Sequence, residues 1–139
     1  MTDTTLLLSL RPEFAELVFA GVKKVEFRRV RPRVQANEWV LVYVSTPVQA
    51  LVGAIQVAKV IECSPASLWR RVRSDAGISR RQFDEYYVGV STAYAIVLNA
   101  VKRLPEPVTL SRLRQVWPDF HPPQCYRYLE QFQTRLINC

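Results

Sequence analysis

"RPEFAELVFAGVKKVEFRRVRPRV", residues 11 to 34, changes its period half-way along. In the first half Phe14, Leu17 and Val18 recur at helical spacing behind Pro12, and Gly21 closes the segment. Proline suits the first helical turn, where its missing N–H has no partner to lose, and glycine reaches the left-handed conformation that ends a helix. The spacing predicts a short helix over residues 12–20. From Lys24 the period becomes two, with Val25 and Phe27 on one face and Lys24, Glu26 and Arg28 on the other. A strand therefore follows the helix after a short turn. Residues 23–33 hold seven charges, six of them positive, and the seventh is Glu26. Glu26 and Arg28 share a strand face, and Lys23, in the turn, can swing onto it. Two compatible readings follow. One is a mutual ion pair that fixes the turn. The other is a site where Lys23 and Arg28 hold an anion while Glu26 orients Arg28 or accepts a hydrogen bond from a base edge.

Outward from this unit, "EWVLVYVST" reads as a strand buried on both faces, ended by Pro47. "LVGAIQVAKVIE" is a second strand, with Gly53 marking a bulge or close approach. Ser64 and Pro65 open a helix at "PASLWRRV", Ser79 caps "RRQFDEYY", and "TAYAIVLNAVKRL" returns to strand. Thr109 caps "LSRLRQV", and "PPQCYRYLEQF" is predicted as a final short helix opened by Pro122 and Pro123. Consecutive strands with no helix between them favour an antiparallel or mixed sheet, so the fold class is α+β: a small curled sheet or β-barrel flanked by short helices. No repeat, linker or composition shift divides residues 1–139, which reads as one domain large enough to close its own core.

Composition narrows the function classes. The formal charge is +7, and fifteen of the nineteen cationic residues are arginine, clustered at 28–33, 70–73, 80–81 and 112–114. The planar guanidinium matches phosphate and carboxylate better than an ammonium does, so solvated helix faces and a surface for nucleic acid or a nucleotide-like anion both fit. Cys63, Cys125 and Cys139 are scattered, and His121 is the lone histidine. No set of four zinc ligands exists at the needed spacings, no other metal or cofactor motif occurs, and the thiols suit a reducing cytoplasm. The run "TLLLSL" is too short for a signal peptide, and nothing approaches a membrane span. His121 reads as a loop residue, and Trp69 as a helix-to-sheet packing residue.

Three stretches together resemble one family. The helix ending in G-x-K-x-x-E-x-R, carried by Gly21, Lys23, Glu26 and Arg28, is similar to the signature of the ASCH domain, a branch of the PUA-like superfamily. "LVYVSTPVQALVGAIQV" resembles the family's strand, serine-containing turn and next strand. "PPQCYRYL" resembles its C-terminal Pro-Pro-Gln-Ser-Phe-Arg-Tyr-Leu, with Cys125 for the serine and Tyr126 for the phenylalanine. The resemblance implies a PUA-like β-barrel with a cleft for RNA, other nucleic acid or a nucleotide-like molecule, and a role in regulation. It points to Lys23, Glu26, Arg28, Ser45, Gln124, Tyr126 and Arg127 as ligand-binding residues. Arg29, Arg31 and Arg33 would form a basic lip beside them. Tyr126, next to Gln124 and Arg127, is the candidate for stacking on a base.

An enzymatic branch of the family removes the acetyl group from N4-acetylcytidine with a lysine-activated threonine. That threonine's place is held here by Glu26, and a carboxylate does not attack as a hydroxyl would. Other members are ribonucleases, for which Lys23 and Glu26 supply acid–base groups. The sequence expectation is a binding module first, an enzyme on RNA or a modified nucleoside in the same cleft second, and an adaptor for an acidic protein partner third.

Overall fold

A computed structural model of the chain describes residues 4–124 and 126–130. Its elements are β1 (Thr4–Leu10), α1 (Pro12–Phe19), β2 (Val25–Arg28), β3 (Trp39–Val44), β4 (Ala50–Cys63), α2 (Pro65–Val72), a 3₁₀ turn (Arg73–Asp75), α3 (Arg80–Tyr86), β5 (Ala93–Thr109), α4 (Leu110–Val116) and β6 (Tyr126–Glu130). The strands form one mixed sheet in the order β2-β5-β4-β3-β1-β6. β1 runs parallel to β3, and every other pairing is antiparallel.

β2 and β6 are the two edges of this sheet, yet they meet. The Arg28 guanidinium lies 5.0 Å from the centre of the Tyr126 ring, and that of Arg33 lies 3.9 Å from the Tyr128 ring. The Arg33 N–H also donates to the Tyr128 hydroxyl at 2.8 Å. Twist and coiling bring the first and last strands together as in a barrel, but side chains bridge the seam and no ladder joins β2 to β6 among the described residues.

Curling the two long strands requires irregularities. The register of β4 and β5 steps from Leu51↔Val108 to Gly53↔Arg103, leaving Leu104 to Pro107 bulged out. Pro105 and Pro107 have no N–H to offer a ladder, so the bulge leaves them where none is needed. A side chain at Gly53 would stand 2.3 Å from the Lys102 carbonyl and 3.0 Å from the Phe19 ring, so only glycine lets β5 and α1 close on β4 there.

The helices start where their caps dictate. Ser64 accepts from the Ser67 N–H, and Thr109 accepts from the Arg112 N–H, each at 3.2 Å. Ser79 and Gln82 form a reciprocal capping box. The helix predicted over 12–20 is α1, and Gly21 (φ 78°) turns the chain back so that the Val22 and Lys23 N–H groups both reach the Leu17 carbonyl. α1 buries Ala15 and Val18 against one sheet face, α2 and α3 pack Leu68, Val72 and Phe83 over Val25 and Phe27, and α4 covers Tyr43 and Leu129 with Leu113. Trp69 packs on Phe83 with ring centres 5.0 Å apart, as its reading required. None of the described helices is long and apolar enough to cross a membrane.

Two elements depart from the sequence reading. "TLLLSL" is β1, which lies between β3 and β6 and buries Leu6, Leu7, Leu8 and Leu10. "PPQCYRYLEQF" is not a helix where it is described: Tyr126–Glu130 is β6, in register with β1 from Leu8↔Tyr126 to Thr4↔Glu130. The helical reading weighed a local apolar spacing and proline start, and a β1 partner more than a hundred residues away outweighed both.

Candidate functional site

The end of β1, the start of α1, the Gly21 turn with β2, the start of α3 with the loop before it, and Gln124 surround a cleft of about 540 Å³. Lys23, Glu26 and Arg28 form its charged wall. They are the buried polar residues of the described chain, 3%, 6% and 9% exposed respectively. β2 supplies Glu26 and Arg28 on one face because its other face, Val25 and Phe27, is fixed in the core.

Each of the three is held. Arg28 Nη1 donates to Glu26 Oε2 at 3.1 Å, and Tyr126 stacks against the same guanidinium. The Lys23 ammonium donates to the Ala76 carbonyl at 2.7 Å and lies 4.4 Å from the centre of the Phe27 ring and 6.0 Å from that of Phe14. Burial lowers the Lys23 ammonium to about 8, against the pull of the facing Glu26 carboxylate, which raises it. An ammonium so placed is a stronger acid than an ordinary lysine and an electrostatic partner for an anion in the cleft.

The remaining wall is polar or aromatic. Ser9, Arg11, Gln82, Glu85 and Tyr86 line it, and sequence reasoning had not placed them there. Gln82 accepts from the Ser79 N–H in the capping box, so its side-chain oxygen is committed and its NH₂ is the group left to meet a ligand. Tyr86 donates its hydroxyl to the Phe27 carbonyl at 3.0 Å, and Arg29 donates to the Tyr86 and Val88 carbonyls at 2.7 and 2.9 Å. These bonds tie the end of α3 to β2, and the capping-box pattern was the available signal that α3 begins beside the cleft.

The predicted site is only partly assembled. Lys23, Glu26, Arg28 and Gln124 line the cleft, and Tyr126 stands at its rim, 37% exposed. Ser45 does not line it: it sits in the turn after β3, where its N–H donates to the Leu10 carbonyl at 3.0 Å. Arg127 pairs with Leu7 in the ladder, while its side chain and Cys125 lie outside the described residues. Arg29, Arg31 and Arg33 are exposed as a lip should be, but each is engaged, Arg31 with Glu62. His121 is an exposed loop residue. Among the described residues no three His, Cys, Asp or Glu side chains gather as metal ligands. A smaller hollow of about 240 Å³ lies along α1, lined by Glu16, Phe19, Val52 and Arg103 among others, away from the charged trio.

A curled sheet whose meeting edges hold a buried ammonium, carboxylate and guanidinium defines a small anion-binding domain. The chain belongs to the ASCH domain family, whose model matches residues 8–103. It is 30% identical over 131 residues to an ASCH domain-containing ribonuclease of Zymomonas mobilis, covering 94% of this chain and 88% of that protein. The crystal structure of ASCH from Zymomonas mobilis superposes with a TM-score of 0.90 at 28% identity, covering 99% of this chain and 95% of that one. The N-terminal domain of Staphylothermus marinus McrB shares the fold alone, with a TM-score of 0.60 at 11% identity over 96% of this chain and 92% of that one.

Proposed function

We propose that the cleft binds RNA and cleaves it, with Lys23, Glu26 and Arg28 contacting the scissile phosphate and the ribose beside it. The observation that carries this reading is the buried trio itself: two cations and one carboxylate in the wall of an open cleft, with the lysine lowered to about 8. The similarity to a protein called a ribonuclease, across nearly the whole length of both chains, supports it.

The chemistry follows from the residue types. Glu26 accepts the proton of the ribose 2′-hydroxyl, whose oxygen forms a bond to phosphorus. Arg28 and Lys23 face the charge that accumulates on the phosphoryl oxygens. The bond from phosphorus to the 5′-oxygen breaks, and the Lys23 ammonium gives that oxygen its proton. The products are a 2′,3′-cyclic phosphate and a 5′-hydroxyl. Tyr126 at the rim offers an exposed ring face to a base next to the reacting phosphate, and Gln124 and Gln82 offer amide groups to base edges.

A second reading, RNA binding without turnover, draws on a different observation. Glu26 is bonded to Arg28, and Lys23 to a backbone carbonyl, which suits groups held still as binding contacts. One experiment separates the two. A single-stranded RNA oligonucleotide is incubated with wild type, Lys23→Ala and Glu26→Gln, and bound fraction and products are read together. Cyclic-phosphate products lost in both variants, with binding retained in Glu26→Gln, support the cleaving enzyme. Bound but intact RNA supports the binder, and RNA neither bound nor cut at low salt defeats both.

A further inference from the structure

Three contacts from one loop converge on Lys23. The 3₁₀ turn Arg73–Asp75 runs through Ala76 and Gly77 to the Ser79 cap of α3. The Asp75 carbonyl accepts from the Lys24 N–H at 2.9 Å, and the Ala76 carbonyl accepts from the Lys23 ammonium at 2.7 Å. Gly77 lies directly against the lysine stem: a side chain there would begin 2.7 Å from Lys23 Cβ, 2.9 Å from Cγ and 3.2 Å from Cα. These are not atoms at the loose end of a chain. The Lys23 N–H is bonded to the Leu17 carbonyl, and the Lys24 carbonyl accepts from the Leu98 N–H, both at 3.0 Å, so the lysine backbone is tied from two sides. A methyl group at position 77 would displace the loop rather than the lysine, and the Ala76 carbonyl would move with it.

Resting on the reading that Lys23 meets the phosphate, we infer that Gly77 is a positioning residue for the cleft, its missing side chain allowing the 73–78 loop to close on Lys23 and hold its ammonium in place. The loop has two effects on the ammonium. It supplies the single printed hydrogen-bond acceptor, and it excludes the water that would otherwise restore an ordinary lysine. The other charged groups lining the same cleft are Arg11, Glu26, Arg28 and Glu85, none of them on the loop.

The molecule contains its own control. Gly77 has a positive φ of 66°, so any replacement there pays for the left-handed conformation as well as for the contact. Gly89 has φ 84° and nothing within 4 Å of a would-be side chain. Gly89→Ala therefore carries the backbone strain alone.

The test is the titration of Lys23, followed by NMR of isotopically labelled lysine side chains, in wild type, Gly77→Ala and Gly89→Ala. Gly89→Ala is expected to keep the wild-type midpoint. Gly77→Ala is expected to raise it by about one unit as the loop lifts and water enters. In RNA cleavage Gly77→Ala should lower kcat about tenfold with KM little changed, because the phosphate is still bound but its proton donor is misplaced. Equal midpoints in all three proteins, or equal shifts in both variants, would overturn the inference whatever happens to RNA. A shift confined to Gly77→Ala in a protein whose wild type leaves RNA untouched would uphold the positioning and defeat the proposed function. Should Gly77→Ala not fold, Lys23→Gly/Gly77→Ala removes the atoms that the methyl strikes. It should melt as Gly89→Ala does, and failure to fold would again overturn the inference.

Discussion

The two faces of β2 are buried to the same degree and for opposite reasons. Val25 and Phe27 are 2% and 6% exposed, within a cluster where Phe27 meets Phe83 edge-on with ring centres 5.2 Å apart. Glu26 and Arg28 are 6% and 9% exposed on the other side. Burying the apolar face is the driving force of folding itself. Burying the polar face costs desolvation that a salt bridge rarely returns in full. A four-residue strand thus serves as both anchor and site, and the apolar face fixes where the polar one points. The lesson is that burial identifies the core only when the residue type agrees with it. Where it disagrees, burial marks a site.

The largest expected effect is on the anchor. Phe27→Ala should cost about 3–5 kcal/mol, the usual range for emptying an aromatic core position, read as a lowered urea midpoint. RNA binding should fail with it, since Glu26 and Arg28 lose the packing that aims them. If Phe27→Ala stayed folded with its cleft intact, the two faces would be independent and the comparison would break.

The polar face should answer with the opposite sign. The Lys23 ammonium is lowered from 10.5 to about 8 in the folded protein by burial. Below pH 8 both folded and unfolded chains hold the proton, and the native state bears the full cost of the buried charge. Between about pH 8 and 10.5 the unfolded chain still holds a proton that the native one has released, so stability rises with pH through that window. Lys23→Met should therefore stabilise the protein at pH 7 by at most roughly 3 kcal/mol and remove this rise, which chemical denaturation at a series of pH values would show. The same variant should abolish RNA cleavage. In wild type, cleavage that needs the charged ammonium should decline as pH rises past about 8, where an ordinary lysine would hold its proton beyond 10.

How far the sequence revealed this division depended on distance along the chain. Helix, turn and strand from Pro12 to Arg28 were legible because proline, glycine and the switch of period from 3.6 to 2 are local signals. The same stretch contains the whole charged trio, so the centre of the site was legible too. Its far wall was not. Gln82, Glu85 and Tyr86 reach the cleft because Phe83 on α3 packs against Phe27, and no spacing rule connects residues 27 and 83. β1 and β6 were missed for a related reason. "TLLLSL" has no alternation because it lies inside the sheet, and "YRYLE" is a strand only because β1 offers it a ladder. Ser45 was drawn into the site by a motif, whereas its turn packs against the end of β1.

A buried polar group outside the cleft sharpens the comparison. Tyr43 is 1% exposed, and its hydroxyl has no hydrogen-bond partner among the described residues. Burial pushes its phenol pKa up, and Arg114 partly offsets the shift. Its ring packs beside Phe120 at 6.2 Å, so the ring contributes to the core while the oxygen only costs. Tyr43→Phe should raise stability by about 1 kcal/mol, seen as a higher Tm, and leave RNA cleavage unchanged. A drop in stability would mean that the hydroxyl is paid for after all, and that buried polarity is not by itself a mark of function in this fold.

The smallest effect belongs to the lip. Arg31 and Glu62 form an ion pair whose side chains are 63% and 50% exposed, in contrast to the 10% and 8% of Arg28 and Glu26. Water screens the exposed pair, so Arg31→Ala should change stability by no more than about 0.5 kcal/mol. Its effect on RNA is separable from that. An arginine beside the cleft that neutralises one phosphate of a single strand contributes about 0.7 to the slope of log affinity against log salt, without touching the cleaved bond. Arg31→Ala should flatten the slope by that amount and leave the product pattern as it was, whereas Arg28→Ala should weaken binding and cleavage together. A flat response to Arg31→Ala would confine the RNA contacts to the cleft. A loss as deep as that of Arg28→Ala would make the exposed arginine as much a part of the site as the buried one, and burial would lose its value as the guide to it.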